Sequence, residues 1–314
     1  MRIGTNSYTP AMLGQFNTLK AQQDTLQSQA STGLAVQAPS DNPTAMADTL
    51  RGVAQKAAQT QYSANVTTLQ SRATSIDSVL QSLQTISSRA GEIATAAVSA
   101  TASNSDLTNY ADEVNTLINQ VVAAANTKDP STGQYLFGGT ASSSAPYSTT
   151  TDANGNVTAT TYNGNSNVNQ AEIGSGQTAS VDVPGANTTG TGARGLITDS
   201  QSGADFLNHL IALRDDLQSG AASTISNTDS TNLQKDENNI AYQVANNGVV
   251  QNQLTAAATL ATSRTQSLES MISTSSSANL VETMVQLNSA QTAYQAALES
   301  GSKIMQLSIL NYLS

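Results

Sequence analysis

Apolar residues recur at alternating spacings of four and three through the N-terminal third of the chain. The longest such series is Leu69, Ala73, Ile76, Leu80, Leu83, Ser87, Ala90, Ala94 and Ala97. This spacing places the residues on one face of an α-helix, and it predicts a long helix from Pro43 to about Ser99. A second series, Val79, Ile86, Ile93 and Ala100, lies beside the first. We therefore expect this helix to pack against more than one partner.

Both ends of the chain carry a similar pattern, which is typical of coiled coils. The N-terminal segment, about residues 10–31, has Phe16, Leu19, Leu26 and Ala30 in register. The C-terminal segment, about residues 278–313, has Leu280, Met284, Leu287, Gln291, Tyr294, Leu298, Gly301 and Met305. Such helices either pack against each other within one chain or also contact other subunits. The residues predicted to form an assembly interface by helix–helix burial are Phe16, Leu19, Leu26, Leu287, Tyr294, Leu298, Leu310 and Leu313.

The middle of the chain differs from both ends, because residues 140–199 are dense in Gly, Ser, Thr and Asn. Asn154-Gly155 and Asn163-Gly164 are typical hairpin turns. Residues 157–162 are rich in strand-forming side chains, and residues 179–183 are a second candidate strand. These features predict a small β-rich insertion. Further helices are expected over about 107–126, 203–217 and 229–270, with a polar hinge at 273–277.

The predicted fold class is mainly α. We expect an elongated antiparallel helical rod with its N- and C-terminal coiled-coil helices paired, and the β-rich insertion at its tip. Three domains follow from this organisation. A terminal coiled-coil assembly domain comprises 1–42 and 271–314, a helical rod domain comprises 43–139 and 200–270, and an outward-facing insertion comprises 140–199.

Composition narrows the possible functions of these 314 residues. Only 11% of them are charged and the net charge is −10, so the clustered Lys and Arg that nucleic acids or anionic membranes require are missing. The sequence contains no Cys and one His, which argues against thiolate chemistry and metal clusters. The N-terminus lacks the apolar stretch of a cleaved signal peptide, and no apolar run is long enough for a membrane span.

Several short motifs suggest chemistry, but each has a simpler interpretation. Residues 190–195 match G-x-G-x-x-G without the strand and helix that a dinucleotide site needs. Residues 152–156 resemble part of a calcium loop, and a hairpin turn explains them better. His209, on an apolar helix, is expected to be packed or half-exposed. Three pairs of adjacent acidic residues are expected on solvated helix faces; they are Asp112-Glu113, Asp215-Asp216 and Asp236-Glu237. Two glycosylation sequons, at 156–158 and 187–189, carry little information. No catalytic, cofactor-binding or metal residue is predicted, and we do not expect an enzyme.

Motifs near both ends resemble those of a known family. The N-terminal ones are Met1-Arg2-Ile3 with Thr5-Asn6, Ser28 to Gly33, Pro39-Ser40-Asp41-Asn42-Pro43-Thr44-Ala45, and Gln134 to Thr140 with Tyr135-Leu136-Phe137-Gly138-Gly139. The C-terminal one runs from Leu280 to the final Leu307-Ser308-Ile309-Leu310-Asn311-Tyr312-Leu313. In this order they resemble the flagellin superfamily and, within it, the hook-associated proteins of the hook–filament junction. Asn42 departs from the family pattern, which has Asp at that place.

The resemblance implies a structural subunit of the bacterial flagellum that joins the hook to the filament. It implies contacts with other copies of the chain, with another hook-associated protein, with flagellin and with an export chaperone. It also implies an extracellular location, reached without a cleaved signal peptide. Two alternatives remain open at this point: a flagellin filament subunit, and a surface adhesin that uses residues 140–199. An enzyme within the insertion is a third and weaker alternative.

Overall fold

The structure is a computed structural model that describes residues 8–99 and 102–313, with side chains described over 10–99 and 102–303. The chain divides into two compact units. The terminal unit comprises the residues up to 59 and those from 263 onward, and the central unit comprises 60–262. The domain boundaries predicted at 42/43 and 270/271 differ from the boundaries of these two units, which lie at 59/60 and 262/263.

Seven α-helices account for most of the described residues. They are α1 (Tyr8–Thr32), α2 (Pro43–Ala97), α3 (Asn104–Ala125), α4 (Phe206–Ser219), α5 (Ala222–Thr224), α6 (Ser230–Ser276) and α7 (Leu280–Leu313). A π-helical turn, Ile225–Asp229, joins α5 to α6. The start of α3 is set by a capping box in which Ser103 and Asp106 bond each other's backbone N–H.

Seven short strands lie between α3 and α4. They are β1 (Tyr147–Thr151), β2 (Val157–Tyr162), β3 (Ala171–Gly174), β4 (Gln177–Ala179), β5 (Ala186–Asn187), β6 (Thr198–Asp199) and β7 (Ala204–Asp205). Strands β1 and β2 form an antiparallel hairpin, as do β3 and β4. The third sheet pairs β6 in parallel with β5 and antiparallel with β7. A mainly α fold with a small β-containing insertion is thus confirmed.

The terminal unit pairs α1 with α7 in an antiparallel arrangement. Gly33 ends α1 with a φ of +71°, a left-handed conformation that only glycine adopts at little cost. The backbone then runs beside the connection between α6 and α7, where Ala278 N–H donates to Gly33 O at 2.8 Å and Ala35 N–H donates to Ser276 O at 2.7 Å. These bonds tie the segment after α1 to the connection that leads into α7, at one end of the pair.

The central unit has a large hydrophobic cluster, which contains most of the apolar series read from the sequence, and Ala73 of that series lies in a second, smaller cluster. Every member of the main α2 series from Ala73 to Ala97 is buried, and so are Val79, Ile86 and Ile93 of the second series. Both series contribute because the core also takes in α3, α4 and the first part of α6. The prediction of a helix with two packed faces is confirmed.

The insertion shares this core instead of forming one of its own. Apolar side chains from the insertion and the loop before it are buried in the same cluster as the helices; they are Leu136, Phe137, Tyr147, Val157, Val183, Leu196 and Ile197. The β3–β4 hairpin packs through Ile173 and Ala179 into a second cluster with Val66 of α2 and Leu254 of α6. Stability of the strands therefore depends on the helices.

The prediction of a polar hinge at 273–277 is wrong for most of these residues, because α6 continues to Ser276. Hydroxyl groups in this stretch bond to carbonyls four residues earlier, with Thr274 Oγ1 donating to Ser270 O and Ser276 Oγ to Ile272 O. Ser and Thr disfavour helices mainly through competing backbone bonds. Here the hydroxyl groups bond to carbonyls within the helix, so α6 continues to Ser276 and the chain is non-helical only at 277–279.

Candidate assembly surface

The seam between α1 and α7 combines a contact between two large aromatic side chains with a close approach at a glycine of α7. Phe16 and Tyr294 meet edge to face, with ring centroids 6.1 Å apart. Two turns further along α7, a methyl group added at Gly301 would lie 2.6 Å from Met12 Cε and 3.2 Å from Phe16 Cζ. Gly301 therefore lets the two backbones approach where Met12 and Phe16 occupy the space between them.

The predicted interface residues divide into three groups. Leu26 is buried, and Phe16, Leu19, Leu287 and Tyr294 are half-buried, with Phe16 and Tyr294 in contact within one chain. Leu298 is 46% exposed. Leu310 and Leu313 lie outside the residues whose side chains are described. A role of these eight residues between subunits stays a prediction.

A band of large apolar side chains on the terminal helices faces away from the seam; we refer to it as the terminal apolar band. Its members are Leu13 of α1 and Leu280, Val281, Met284, Val285 and Leu298 of α7. Val281 is the most exposed, at 77%. Leu280, Val281, Met284 and Val285 lie within two helical turns of one another, and clusters of exposed apolar residues mark interaction surfaces. Leu13, Val281 and Val285 were not predicted from the sequence, although 281 and 285 are one helical turn apart.

The start of α2 carries a second exposed apolar stripe. Leu50 and Val53 are 60% and 49% exposed, and with Met46 and Ala57 they follow the spacing four, three, four. A different face of this helix packs on α6, where Gly52 would place an added methyl group 2.8 Å from Ile272 Cγ1. The stripe is thus a second surface of the terminal unit that is free to pack against another helix.

The loop between α1 and α2 is held by the side chains of the Pro39–Pro43 motif. The Asp41 carboxylate accepts bonds from the N–H groups of Gln37 and Ala38, at 3.0 and 2.9 Å. These bonds lower the pKa of Asp41, since they favour its charged form. Asn42 Oδ1 accepts from Ala45 N–H at 3.0 Å and caps α2. Asn42 therefore performs the capping role that an Asp at this place could also perform.

The only histidine lies in a buried polar cluster of the central unit. His209 Nδ1 of α4 lies 2.7 Å from Asp236 Oδ2 of α6, and Asp236 Oδ1 accepts from Asp205 N–H at 2.8 Å. Burial raises the pKa of Asp236, while the hydrogen bond to His209 opposes the rise. The expectation that Asp236 lies on a solvated face is wrong. Its burial could not be read from the sequence because the apolar series on α6 is weak.

Asp229, the last residue of the π-helical turn, is also buried, and its Oδ2 has no hydrogen-bond partner among the described residues. Burial first, and then the neighbouring Asp216 carboxylate, raise the pKa of Asp229 to about 6. The nearby His209 lowers the pKa of Asp229 and so opposes these two effects. Burial beside Asp216 therefore favours the protonated form of Asp229 more than water does, since a second negative charge there is costly.

Two arginines join the insertion to the helices. Arg72 Nε of α2 lies 2.9 Å from Asp182 Oδ1, and its Nη1 lies 3.7 Å from Asp129 Oδ2. Arg214 of α4 donates to Val157 O at 2.6 Å and to Asp215 Oδ1. The predicted solvated pair Asp215-Asp216 thus includes one side chain in an ion pair. Likewise, Glu113 pairs with Arg89 at 2.6 Å on an exposed face.

The remaining motifs have structural explanations. The Asp152 carboxylate accepts from the N–H groups of Asn154 and Asn156 within the β1–β2 turn, which confirms a hairpin there. Residues 190–195 form a loop, and Asn187 holds it through bonds to Thr191 O and Ala193 O. Asn187 is buried, which leaves its sequon inaccessible to modification.

Within the part of the chain that the structure describes, no three His, Cys, Asp or Glu residues come together as metal ligands. Among the same residues, every helix is too short or too polar to cross a bilayer.

Comparison with protein families gives one match. Residues 3–142 match the model of the bacterial flagellin N-terminal helical region. The predicted resemblance of the N-terminal part of the chain to the flagellin superfamily is confirmed. No curated protein sequence matches the chain.

Solved structures share the fold at low sequence identity. A protein from Vibrio parahaemolyticus assigned as a flagellar hook-associated protein is 18% identical, with a TM-score of 0.63 over 75% of this chain and 99% of the other. FlgL of Bacillus cereus is 17% identical, with a TM-score of 0.56 over 71% and 99%. FlgL of Xanthomonas campestris is 20% identical, with a TM-score of 0.55 over 69% and 98%. The chain therefore has the fold of flagellar hook-associated proteins.

Proposed function

We propose that this chain, with its flagellin-type N-terminal helical region and its hook-associated fold, is a structural subunit of the bacterial flagellum that joins the hook to the filament. The observation that carries the proposal is the terminal apolar band, which α1 and α7 leave exposed although they pack against each other. Solvent-exposed Val, Leu and Met side chains gain roughly 25 cal/mol for each Å² that a neighbour covers. Function in this proposal is assembly, without an enzymatic step.

The geometry of the terminal unit supports contacts between subunits. The seam of Phe16, Tyr294 and Gly301 covers one face of each helix. A helix with apolar residues on two faces needs a second helix to cover the other face. We infer that Leu298, with Leu280 and Val281, contacts a helix of a neighbouring subunit, and that Leu310 and Leu313 extend this contact.

Four kinds of partner follow from this role. Other copies of the chain would complete one layer of the assembly. A second hook-associated protein would contact it on the hook side, and flagellin on the filament side. An export chaperone would cover the terminal helices before assembly, because an exposed apolar band favours aggregation. The location in this proposal is extracellular, in the flagellum.

A filament subunit and an adhesin are the alternative roles. The structures that share this fold are named as hook-associated or FlgL proteins, which favours the junction over the filament. The adhesin hypothesis requires the insertion to act as a separate binding domain. Because Tyr147, Val157 and Ile197 belong to the core of the helices, the insertion is better suited to a structural role.

Immunogold electron microscopy of isolated flagella tests the proposal directly. Antibody raised against the purified chain is expected to label a short zone between hook and filament. Label along the whole filament would indicate a filament subunit and would contradict the junction role. Purified chain should also fail to form long filaments by itself, whereas flagellin under the same conditions serves as the positive control.

A further inference from the structure

The sequence contains three Asn-Gly pairs, at Asn154-Gly155, Asn163-Gly164 and Asn247-Gly248. An Asn that precedes Gly is chemically labile, because glycine offers no side chain to block its own backbone nitrogen. That nitrogen can attack the Asn side-chain carbonyl carbon. Whether it does so depends on how freely the two groups can approach, so the fold decides which of the three pairs reacts.

Asn247 is protected by its surroundings. It lies inside α6, is 3% exposed, and its Nδ2 donates to Ala73 O at 3.1 Å. In a helix the N–H of the following residue is itself bonded to a carbonyl four residues earlier. Attack by Gly248 N would require local unfolding of a core helix.

Asn163 is restrained less completely. Its Nδ2 donates to Ser148 Oγ at 3.1 Å, and its backbone N–H donates to Pro146 O at 2.7 Å. Gly164 is crowded, since a methyl group added there would lie 2.5 Å from Tyr162 Oη and 2.8 Å from Gly138 O. Rotation of the Asn163–Gly164 peptide therefore meets the tyrosine ring and the backbone.

The backbone N–H of Asn154 donates to Asp152 Oδ1 at 2.9 Å, but its side chain and the glycine that follows are less restrained than those of Asn163. It is exposed at the tip of the β1–β2 hairpin, and its side-chain amide has no hydrogen bond among the described residues. A methyl group added at Gly155 would meet no atom within 4 Å. The one bond that limits Gly155 is its N–H to Asp152 O, at 3.1 Å, in an exposed turn. Exposed turns open at a small free-energy cost.

We propose that Asn154 is a site of spontaneous deamidation in the folded protein. Gly155 N attacks Asn154 Cγ, the N–Cγ bond forms, and the Cγ–Nδ2 bond breaks. The proton from Gly155 N leaves with the amide nitrogen as ammonia, and a succinimide remains. Water then adds to either succinimide carbonyl and opens the ring to an aspartyl or an isoaspartyl residue at position 154. No oxidant, enzyme or cofactor takes part.

The product places a new negative charge beside Asp152. The Asp152 carboxylate already accepts bonds from Asn154 N, Asn156 N and Asn156 Nδ2, at 2.8 to 3.1 Å. The isoaspartyl form also adds a backbone atom to the turn. We expect the turn to loosen while the buried side chains of Tyr147, at the base of the hairpin, and of Val157, beside the turn, hold the strands in place.

Peptide mapping by mass spectrometry tests this site on the full chain. Folded protein is incubated in mildly alkaline buffer at physiological temperature, and the three Asn-Gly peptides are followed with time. We expect modification at Asn154 to exceed that at Asn247 by at least about tenfold, because a core helix opens far less often than a turn. In denaturant, the three sites should react at similar rates.

Two results would overturn the proposal. One is an Asn154 that stays intact in the folded protein while it reacts in denaturant. The other is a folded protein in which Asn163 or Asn247 reacts as fast as Asn154. The Asn154→Gln variant should fold with an unchanged unfolding midpoint and lose the acidic species on isoelectric focusing. Persistence of that species at the original rate would also contradict the assignment. The measurement uses the isolated chain, so its outcome is independent of the flagellar role.

Discussion

His209 of α4 and Asp236 of α6 are joined by a 2.7 Å contact between Nδ1 and Oδ2 inside the central unit. Twenty-six residues separate them in the sequence. The Asp236 side chain is fully buried, and its second oxygen accepts the Asp205 N–H. This one carboxylate therefore connects α6, α4 and the residue that precedes α4.

Replacement of Asp236 by Leu should destabilise the central unit. The change leaves the Asp205 N–H and the His209 ring without their acceptor, and loss of one member of a buried pair costs about 3 kcal/mol. Urea unfolding followed by circular dichroism measures the loss. Asp112→Leu, on an exposed face of α3, is the matched control and should change little. Equal effects at the two positions would show that the buried contact contributes nothing.

The contribution of Asp229 to the stability of the chain should fall as pH rises from about 4 to 6. Its pKa is raised from 3.8 to about 6 by burial and by Asp216. The folded state therefore binds the proton more tightly than the unfolded state, so stability is full below the ordinary carboxyl pKa and declines until the folded pKa is passed. Thermal unfolding midpoints across this range measure the slope.

Asp229→Asn tests the assignment, because an amide mimics the protonated acid and does not titrate. The slope between pH 4 and 6 should become shallower than in the parent chain. An unchanged slope in this variant would assign the pH dependence to other groups. Asp112→Asn serves as the control that removes an exposed carboxyl group, and it should leave the slope as it is.

Arg72→Met should loosen the attachment of the insertion. The variant leaves the Asp182 and Asp129 carboxylates, which are 6% and 4% exposed, without their cation, and this costs about 3 to 5 kcal/mol. Hydrogen exchange should rise in residues 171–183. Arg89→Met removes an exposed arginine that bonds Glu113 and Glu92, and such surface pairs contribute little. The two variants should differ clearly, and similar exchange in both would contradict the role of Arg72.

Gly301→Val should separate α1 from α7. The added side chain collides with Met12 and Phe16, and overpacking of this kind costs about 1 to 3 kcal/mol. Amide exchange in α1 should increase, while exchange in the central unit stays unchanged and acts as the internal control. If α1 keeps its protection, the seam tolerates a wider spacing than the contact with Met12 indicates.

Leu298→Asp should abolish incorporation into flagella and leave a soluble folded monomer. The side chain is largely exposed, so a charge there costs little in the free chain and much in an interface that excludes water. Motility and immunoblots of sheared flagella provide the readout. Gln295→Asp, an exposed polar position on the same helix, adds the same charge as a control. Normal flagella in the Leu298→Asp strain would remove this residue from the assembly surface.

The helices could be predicted from the sequence alone, because their apolar series are local. The α2 series from Ala73 to Ala97 needed only the helical repeat to be recognised, and its burial followed. The turn at Asn154-Gly155 was equally local, since glycine at a positive φ sets it. The motif order along the chain was sufficient to indicate the flagellin superfamily.

Which residues far apart in the sequence meet could not be predicted and depends on the packing of the helices. The contact of His209 with Asp236, the burial of Asp229 and the ion pair of Arg72 with Asp182 each join distant segments. A carboxylate has the same local pattern on a solvated face and in a core, because its neighbours come from other helices. The terminal helices show the same difference. Periodicity identified their apolar faces, but the packing of α1 on α7 places Phe16 in the seam and leaves Val281 exposed.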